Sequence, residues 1–408
     1  MSLVVQKYGG TSVGDASRIR AVAQRVAARK RLGDRVVVIV SAMGDTTDEL
    51  IRLSREVSDR HHPREMDVLL TAGERISMAL LAMAIRDEGV EAMSLTGSQA
   101  GILTDTSHGQ AKIRDIKAFR VEEGLEAGKV VIVAGFQGVS PDTHEITTLG
   151  RGGSDATAVA MAAALHADAC EIYTDVDGVF TADPRVVPGA HKLDEISYEE
   201  MLELAASGAK VLMGRSVEFA MRFEVPIHVR SSFNDRSGTW VKETTMEQAI
   251  VSGVAHDTSI AKITVRSAPD TPGVAAALFR PLADEGVTVD MIVQNVSSDG
   301  ATDISFTIPL DLLALARPIT EAAAHKIGAT SIEVDDQVGQ VSIVGSGMRA
   351  HPGVAATMFS VLADAGINIA MISTSSIRVS CLIDASQVEE AVRRLHDAFI
   401  TPESGLTE

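Results

Sequence analysis

A lysine followed by a glycine-rich, hydroxyl-bearing turn is equipment for holding anions, and this chain places one in its first apolar segment. Residues 4–14 read VVQKYGGTSVG, with Lys7 and Tyr8 ahead of Gly9-Gly10-Thr11-Ser12. Backbone N–H groups in such a turn, at the start of a helix, can hold the oxygens of an anion. The turn is not a P-loop: G-x-x-x-x-G-K-[ST] does not occur, and here the lysine precedes the glycines. The G-x-G-x-x-G dinucleotide fingerprint is missing from it as well. Standing alone, a tight turn closed by a helix cap explains the segment equally well.

Five further segments carry groups of the same kind. They are Ser41-Ala42-Met43-Gly44-Asp45-Thr46-Thr47, Thr71-Ala72-Gly73-Glu74-Arg75, Gly150-Arg151-Gly152-Gly153-Ser154-Asp155, Tyr173-Thr174-Asp175-Val176-Asp177-Gly178-Val179 and Thr181-Ala182-Asp183-Pro184-Arg185. Each has a structural explanation of its own. Thr46 with Glu49 reads as a capping box, and Ser154 or Asp155 reads as the cap of a helix over 156–165. The run from Asp175 to Gly178 faintly resembles a calcium loop, but Pro184 stands where the required glutamate belongs, so that reading is rejected. The adjacent His61 and His62 diverge and read as an exposed loop rather than a metal site.

The elements that must position these segments follow from hydrophobic patterning. Apolar, β-branched runs at 36–40, 130–134, 170–173 and 226–229 alternate with helical stretches. One of these, 16–31, sets Ile19, Val22, Ala23, Val26 and Ala27 on one face. Short apolar strands separated by helices imply an α/β fold with a mostly parallel sheet covered on both faces. Ligands of such sheets sit beyond the carboxyl ends of the strands, where the conspicuous turns fall.

At 408 residues the chain is expected to hold two or three domains. Its 37 Lys and Arg against 55 Asp and Glu give a net charge of −18, which argues against nucleic acid or an anionic membrane as the main partner. An anionic ligand must then be held by a local cluster of basic groups and amides. Two distant cysteines, Cys170 and Cys381, exclude a disulfide framework or a cysteine-based zinc site and point to a reducing cytoplasm. No leader-like segment is recognised, and no apolar run is expected to be long enough to span a bilayer.

The last 150 or so residues repeat. DTPGVAAALFRPLADEGVTVDMI, from Asp270, aligns without a gap on AHPGVAATMFSVLADAGINIAMI, from Ala350. Pro272 and Pro352 are 80 residues apart, as are Met291 and Met371. Each copy reads as strand, Pro-Gly turn, amphipathic helix, glycine and strand, which suggests two small α+β modules packed together.

Taken in order, K-x-G-G-T-S, S-A-M-G-x-T-T, G-E, G-R-G-G-S-D, T-D-V-D-G-V and A-D-P-R resemble the aspartate kinases of the amino-acid kinase superfamily. The tandem repeat resembles their two ACT modules, so the resemblance spans the whole chain. It implies an amino-acid kinase domain over 1–233, a linker over 234–249, and ferredoxin-like ACT modules over 250–335 and 336–408, with strands open to exchange between the two. It further implies transfer of the γ-phosphoryl of ATP to the β-carboxylate of L-aspartate, the first step toward the aspartate-derived amino acids lysine, threonine and diaminopimelate. Such a transfer needs positioning and charge neutralisation, and no general base, because the attacking carboxylate is already ionised. Mg²⁺ is expected to ride on the ATP phosphates, and no metal ligand is assigned to the protein.

The resemblance makes Lys7, Asp155 and Lys210 the expected catalytic residues. Lys7 would follow the migrating charge, Lys210 in Gly208-Ala209-Lys210-Val211 would be a second basic contact to ATP, and Asp155 would hold the lysines. The expected nucleotide contacts are Lys7, Tyr8, Gly9, Gly10, Thr174, Asp175, Phe180, Asp183, Arg185, Lys210 and Val211. The expected aspartate contacts are Ser41, Thr47, Glu74, Gly135, Arg151, Gly152, Gly153 and Ser154. Among these, Arg151 would face the α-carboxylate and Glu74 the α-ammonium.

Lysine or threonine would bind the ACT modules at Asp270, Gly273, Val274, Ala275, Asp290 and Gln294 in the first copy, and at Asn368, Ile369, Ser375 and Ser376 in the second. The family's Ser-Thr-Ser-Glu-Ile reads Ser373-Thr374-Ser375-Ser376-Ile377 here. A lost carboxylate there removes roughly one to a few kcal/mol of charge-assisted bonding. Weakened feedback, or a different effector, is the expectation, against the alternative of a neutral surface change. A homo-oligomer, or an α2β2-type assembly with a short chain begun at Met246, is also implied. The rivals are another amino-acid kinase, a nucleoside monophosphate kinase and a catalytically inactive amino-acid sensor. The joint presence of Lys7, Glu74, Arg151, Asp155 and Lys210 speaks against the sensor. A single full-length band in an untagged native preparation would count against the short chain.

Overall fold

The run at 36–40 becomes part of an eight-stranded sheet. Its order is Glu195–Ile196, Thr239–Val241, Ile227–Ser231, Ala169–Thr174, Leu3–Tyr8, Arg35–Val40, Val130–Ala134 and Ala92–Leu95. All pairings are parallel except that between Thr239–Val241 and Ile227–Ser231. The computed structural model describes residues 2–60, 62–244, 249–295 and 300–400. His61 and Met246 therefore lie outside the described residues. The sheet belongs to a first unit made of Met1–Phe180, Lys192–Ala205 and Lys210–Met246. Thr239–Val241 is thus a strand inside the stretch read from sequence as a linker.

Alternation along the strands divides the unit into two faces. Tyr8, Val36, Val38, Val40, Val130, Ile132 and Tyr173 pack with Ile19, Val22, Val26, Leu81 and Ile85 of helices Ala16–Arg31 and Pro63–Asp87. On this side a buried polar row is satisfied internally. Gln6 Nε2 donates to Glu171 Oε2 at 2.8 Å, Tyr173 OH donates to the same oxygen at 3.1 Å, and Tyr8 stacks on Tyr173. Lys7, one residue out of phase, faces the opposite side, against which helix Gly153–Ala164 packs.

Helix Pro63–Asp87 corrects one expectation. With 25 residues it is long and apolar enough to cross a membrane by length and composition. Its Asp67, Thr71, Glu74, Ser77, Leu81 and Ile85 are nevertheless buried in the unit, on one helical stripe. A second, four-stranded sheet runs Ile113–Ile116, Ile102–Thr104, Gln137–Val139, Ile146–Thr148.

The second unit comprises Thr181–His191, Ala206–Ala209 and Glu247–Glu408. It holds two further four-stranded sheets, one ordered Ile292–Gln294, Ala301–Pro309, Ile260–Pro269, Ser331–Asp335. The other runs Gly253–Asp257, Val338–Val344, Arg378–Asp384, Met371–Thr374. Gly253–Asp257, inside the stretch 250–335 read from sequence as the first module, pairs antiparallel with Val338–Val344 of the second. The repeat survives as geometry: helices Val274–Asp284 and Val354–Asp364 keep the 80-residue offset. Each starts after a left-handed glycine, Gly273 at φ 98° and Gly353 at φ 104°. Thr181–His191 is built into this unit. Ala182 and Val187 join a core with Val254, Met358 and Leu395, Val254 N donates to Thr181 O at 2.7 Å, and Thr181 Oγ1 lies 2.9 Å from His396 Nε2.

Candidate active site

Strand Leu3–Tyr8 delivers Lys7 to helix Gly153–Ala164 at the carboxyl end of the sheet. Lys7 Nζ lies 2.6 Å from Asp155 Oδ1, and the two side chains are only 12% and 10% exposed. Asp155 stands in the first turn of its helix, where the backbone dipole favours a negative charge. The capping reading of Ser154 and Asp155 is not met. The cap is Gly152, in the left-handed conformation at φ 70°, with no side-chain cap bond. Nor does Thr46–Glu49 close a capping box: the helix begins at Thr46 itself, whose Oγ1 donates to Met43 O.

Some of these segments meet within the first unit; Thr71–Arg75 is not a turn but the interior of helix Pro63–Asp87, and Thr181–Arg185 belongs to the second unit. Gly44 N donates to Gly10 O at 3.0 Å, and Ser41 N to Tyr8 O at 3.1 Å, which sets Ser41–Thr47 beside the first glycine turn. A Cβ on Gly10 would stand 2.9 Å from Ala42 O. Gly9 N makes a long bond, 3.4 Å, to Tyr173 O, so in this state that amide is directed to the neighbouring strand. Gly135 lies equally close to Ser154, since a Cβ there would come within 2.9 Å of Ser154 Oγ. Arg151 and Lys210 are exposed, whereas Gly153 and Ser154 are buried.

Glu74 is the most unusual group. It is buried, its Oε1 accepts from Ala42 N at 3.1 Å, and its Oε2 has no hydrogen-bond partner among the described residues. Burial pushes its carboxyl up to about 7 from an ordinary value of 4.5. A buried acid with an empty acceptor is prepared for a cation or a hydrogen-bond donor from outside the fold. The two cysteines offer no nucleophile. Both are buried, which raises the Cys170 thiol and pushes Cys381 up to about 12.

The nucleotide-side residues divide between the units. Thr174 donates to Asp175 Oδ1 at 3.1 Å, and both belong to the first unit with half-buried Phe180 and Val211. Asp183 and Arg185 belong to the second, where Arg185 Nη2 donates to Asp183 Oδ2 at 2.7 Å. Asp177, from the rejected calcium reading, is bonded by Asn234 Nδ2 and Arg236 Nη1. Among the described residues no group of three or more His, Cys, Asp or Glu could hold a metal ion. Of the effector-side residues, Val274 and Ile369 are half-buried and the others are exposed on the second unit.

Two residues near the site were not singled out from sequence. Buried Asp67 accepts from Thr148 Oγ1 at 2.5 Å and Gly109 N at 3.0 Å, and its Oδ2 lies 2.6 Å from His108 Nδ1. Its signal was its place on the helical stripe of Thr71 and Glu74. Arg215 Nη1 donates to Leu149 O at 3.0 Å and its Nη2 to Ala111 O at 2.9 Å. Nothing in its local sequence marks those contacts.

Residues 2–231 match the amino acid kinase family, and residues 263–317 and 341–399 each match the ACT domain. The chain is 58% identical to the aspartokinase of Mycolicibacterium smegmatis over 405 residues, 98% of this chain and 96% of that one. It superposes on E. coli aspartokinase III in complex with aspartate and ADP with a TM-score of 0.82, at 27% identity, covering 98% of this chain and 100% of the other. The same E. coli enzyme in complex with lysine and aspartate gives a TM-score of 0.75, again at 27% identity and over 98% and 100% of the two chains. With its kinase fold, tandem ACT domains and near-complete overlap with these relatives, the chain belongs to the aspartokinase family.

Proposed function

We propose that this enzyme transfers the γ-phosphoryl group of Mg·ATP to the β-carboxylate of L-aspartate, forming 4-phospho-L-aspartate and ADP. The observation that carries the reading is the desolvated Lys7–Asp155 pair beside the glycine turn at the carboxyl end of the sheet. An aspartate β-carboxylate oxygen bonds to Pγ as the bond from Pγ to the ADP oxygen breaks, and no proton moves. Lys7 supplies positive charge where negative charge accumulates, and Asp155 keeps its ammonium in place. Exposed Lys210 is available to the nucleotide phosphates, which carry the magnesium as part of the substrate. Thr174, Asp175, Phe180 and Val211, all of the first unit, flank the nucleotide.

On the acceptor side, Arg151 takes the α-carboxylate as a bidentate pair and Glu74 takes the α-ammonium. Ser41, Thr47, Gly135, Gly152, Gly153 and Ser154 complete the pocket. The aspartate and ADP of the E. coli complex support this pair of ligands, and its lysine complex supports an amino-acid effector on the ACT modules. Lysine or threonine is the effector class, and the assembly is a homo-oligomer or one of long and short chains. The setting is the reducing cytoplasm.

Trapping the acyl phosphate with hydroxylamine tests the reaction directly. Hydroxamate should form with Mg·ATP and aspartate but not with glutamate, and Lys7→Ala should lower the rate by about 10²–10³-fold. Product from glutamate alone would transfer the assignment to another amino-acid kinase.

The Glu74 carboxyl gives the aspartate dependence a pH signature. With its value at about 7 in the free enzyme, an incoming ammonium selects the ionised form. The KM for aspartate should therefore rise as pH falls below about 7, approaching about tenfold per pH unit, while saturated turnover stays level. Glu74→Gln should abolish that slope. A wild-type KM that stays level from pH 8 to pH 5.5 would remove Glu74 from the ammonium site.

Feedback is weakened, in this reading, by the hydroxyl at Ser376, which is exposed and open to an effector. Ser376→Glu should lower the lysine or threonine concentration for half-inhibition by roughly fivefold or more. An unaltered titration curve makes the serine a neutral surface residue.

A further inference from the structure

We propose that Arg215 is a positioning residue for phosphoryl transfer, a role that rests on the aspartate kinase reading above. Its half-buried guanidinium joins two main-chain segments, donating through Nη1 to Leu149 O at 3.0 Å and through Nη2 to Ala111 O at 2.9 Å. Leu149 immediately precedes the Gly150-Arg151-Gly152 turn. Ala111 N donates to Thr148 O at 2.8 Å, so both acceptors belong to one patch at the end of strand Ile146–Thr148. Leu149 N in turn donates to Phe136 O at 2.9 Å, next to Gly135. The fork thus grips the base of the turn that presents Arg151.

Arg215 itself stands in the first turn of helix Gly214–Phe223, and the chain entering that helix carries Lys210. A second contact fixes the same separation. Gly152 sits so close to the helix cap, Met213, that an added Cβ would lie 2.1 Å from Met213 Cγ. The acceptor-side turn and the donor-side lysine segment are therefore tied together twice, once by packing and once by the guanidinium.

An arginine is the right group for this task and an odd one for stability alone. Burial disfavours its charge, and Asp105 and Glu218 offset that only through space. Two bonds to neutral carbonyls return less than a carboxylate pair would. What the planar fork does supply is a fixed spacing between two acceptors, which a lysine's single ammonium cannot reproduce. Transfer between two bound substrates is sensitive to such spacing: a misplacement of about 1 Å costs about 10²-fold in rate.

The test separates binding from transfer in the full-length protein. Arg215→Ala should lower hydroxamate turnover by about 10²-fold and Arg215→Lys by about tenfold. The dissociation constants for Mg·ATP and for aspartate, each measured alone by calorimetry, should change by less than about threefold. Guanidinium ion added at low millimolar concentration should restore part of the turnover of Arg215→Ala and none to the wild type. Unchanged turnover in both variants overturns the proposal, as does a raised aspartate KM with turnover intact, or a loss that guanidinium does not relieve. If Arg215→Ala does not fold, the split between turnover and binding in Arg215→Lys decides. A wild-type chain that makes no hydroxamate removes the reaction assignment instead, and this role with it.

Discussion

An ammonium and a carboxylate held 2.6 Å apart, each about a tenth exposed, have given up most of their hydration. Their mutual attraction repays that loss only where the geometry is fixed from both sides. Much of the first unit does this fixing. Strand alternation turns Lys7 away from the Tyr8–Tyr173 stack and toward helix Gly153–Ala164. That helix starts at a left-handed Gly152, so Asp155 falls in the first turn, near the positive end of the dipole. Gly135 lacks the side chain that would push Ser154, and the helix start with it, out of place. The glycines of this region thus serve the ion pair by letting backbones approach.

Glu74 exposes the other half of the bargain between fold and function. In the unfolded chain its carboxyl titrates near its ordinary 4.5, and in the fold near 7. The stability linked to its neutral form is fully present below about pH 4.5 and is lost as pH rises through about 7. Above that, the buried carboxylate destabilises the fold by on the order of 3 kcal/mol. Under the proposed role of Glu74, a bound ammonium would relieve this penalty, and part of the affinity for aspartate would be the removal of a strain already present in the free protein. A glutamine there would make the empty protein more comfortable and the site less selective for a cation.

The sequence made the chemistry legible earlier than the architecture. Lys7, Glu74 and Asp155 were named through the resemblance that the six segments carry together, although Glu74, read in a turn, lies inside helix Pro63–Asp87; the 80-residue repeat was visible because register needs no structure. What stayed hidden depends on contacts distant in sequence. Exchange of strands between the modules was left open by the resemblance, but that Gly253–Asp257 is the strand that pairs with the second module is recorded by no local pattern. Helix Pro63–Asp87 was underestimated because its polar residues interrupt the apolar run while its length still suffices for a bilayer. Arg215 looks like any arginine in the first turn of a helix; its meaning comes from two carbonyls 66 and 104 residues away.

The stretch 181–191 shows how little chain separates the two proposed activities. Phe180 ends a segment of the first unit, and the next residue, Thr181, is packed with the second. Its carbonyl accepts from Val254 N, while its hydroxyl accepts from His191 N at 3.1 Å and meets His396 Nε2. Burial lowers the pKa of His396, disfavouring a charge on its ring. Any state in which the second ACT module rearranges around His396 must therefore either break the Thr181 contacts or carry Thr181 with it.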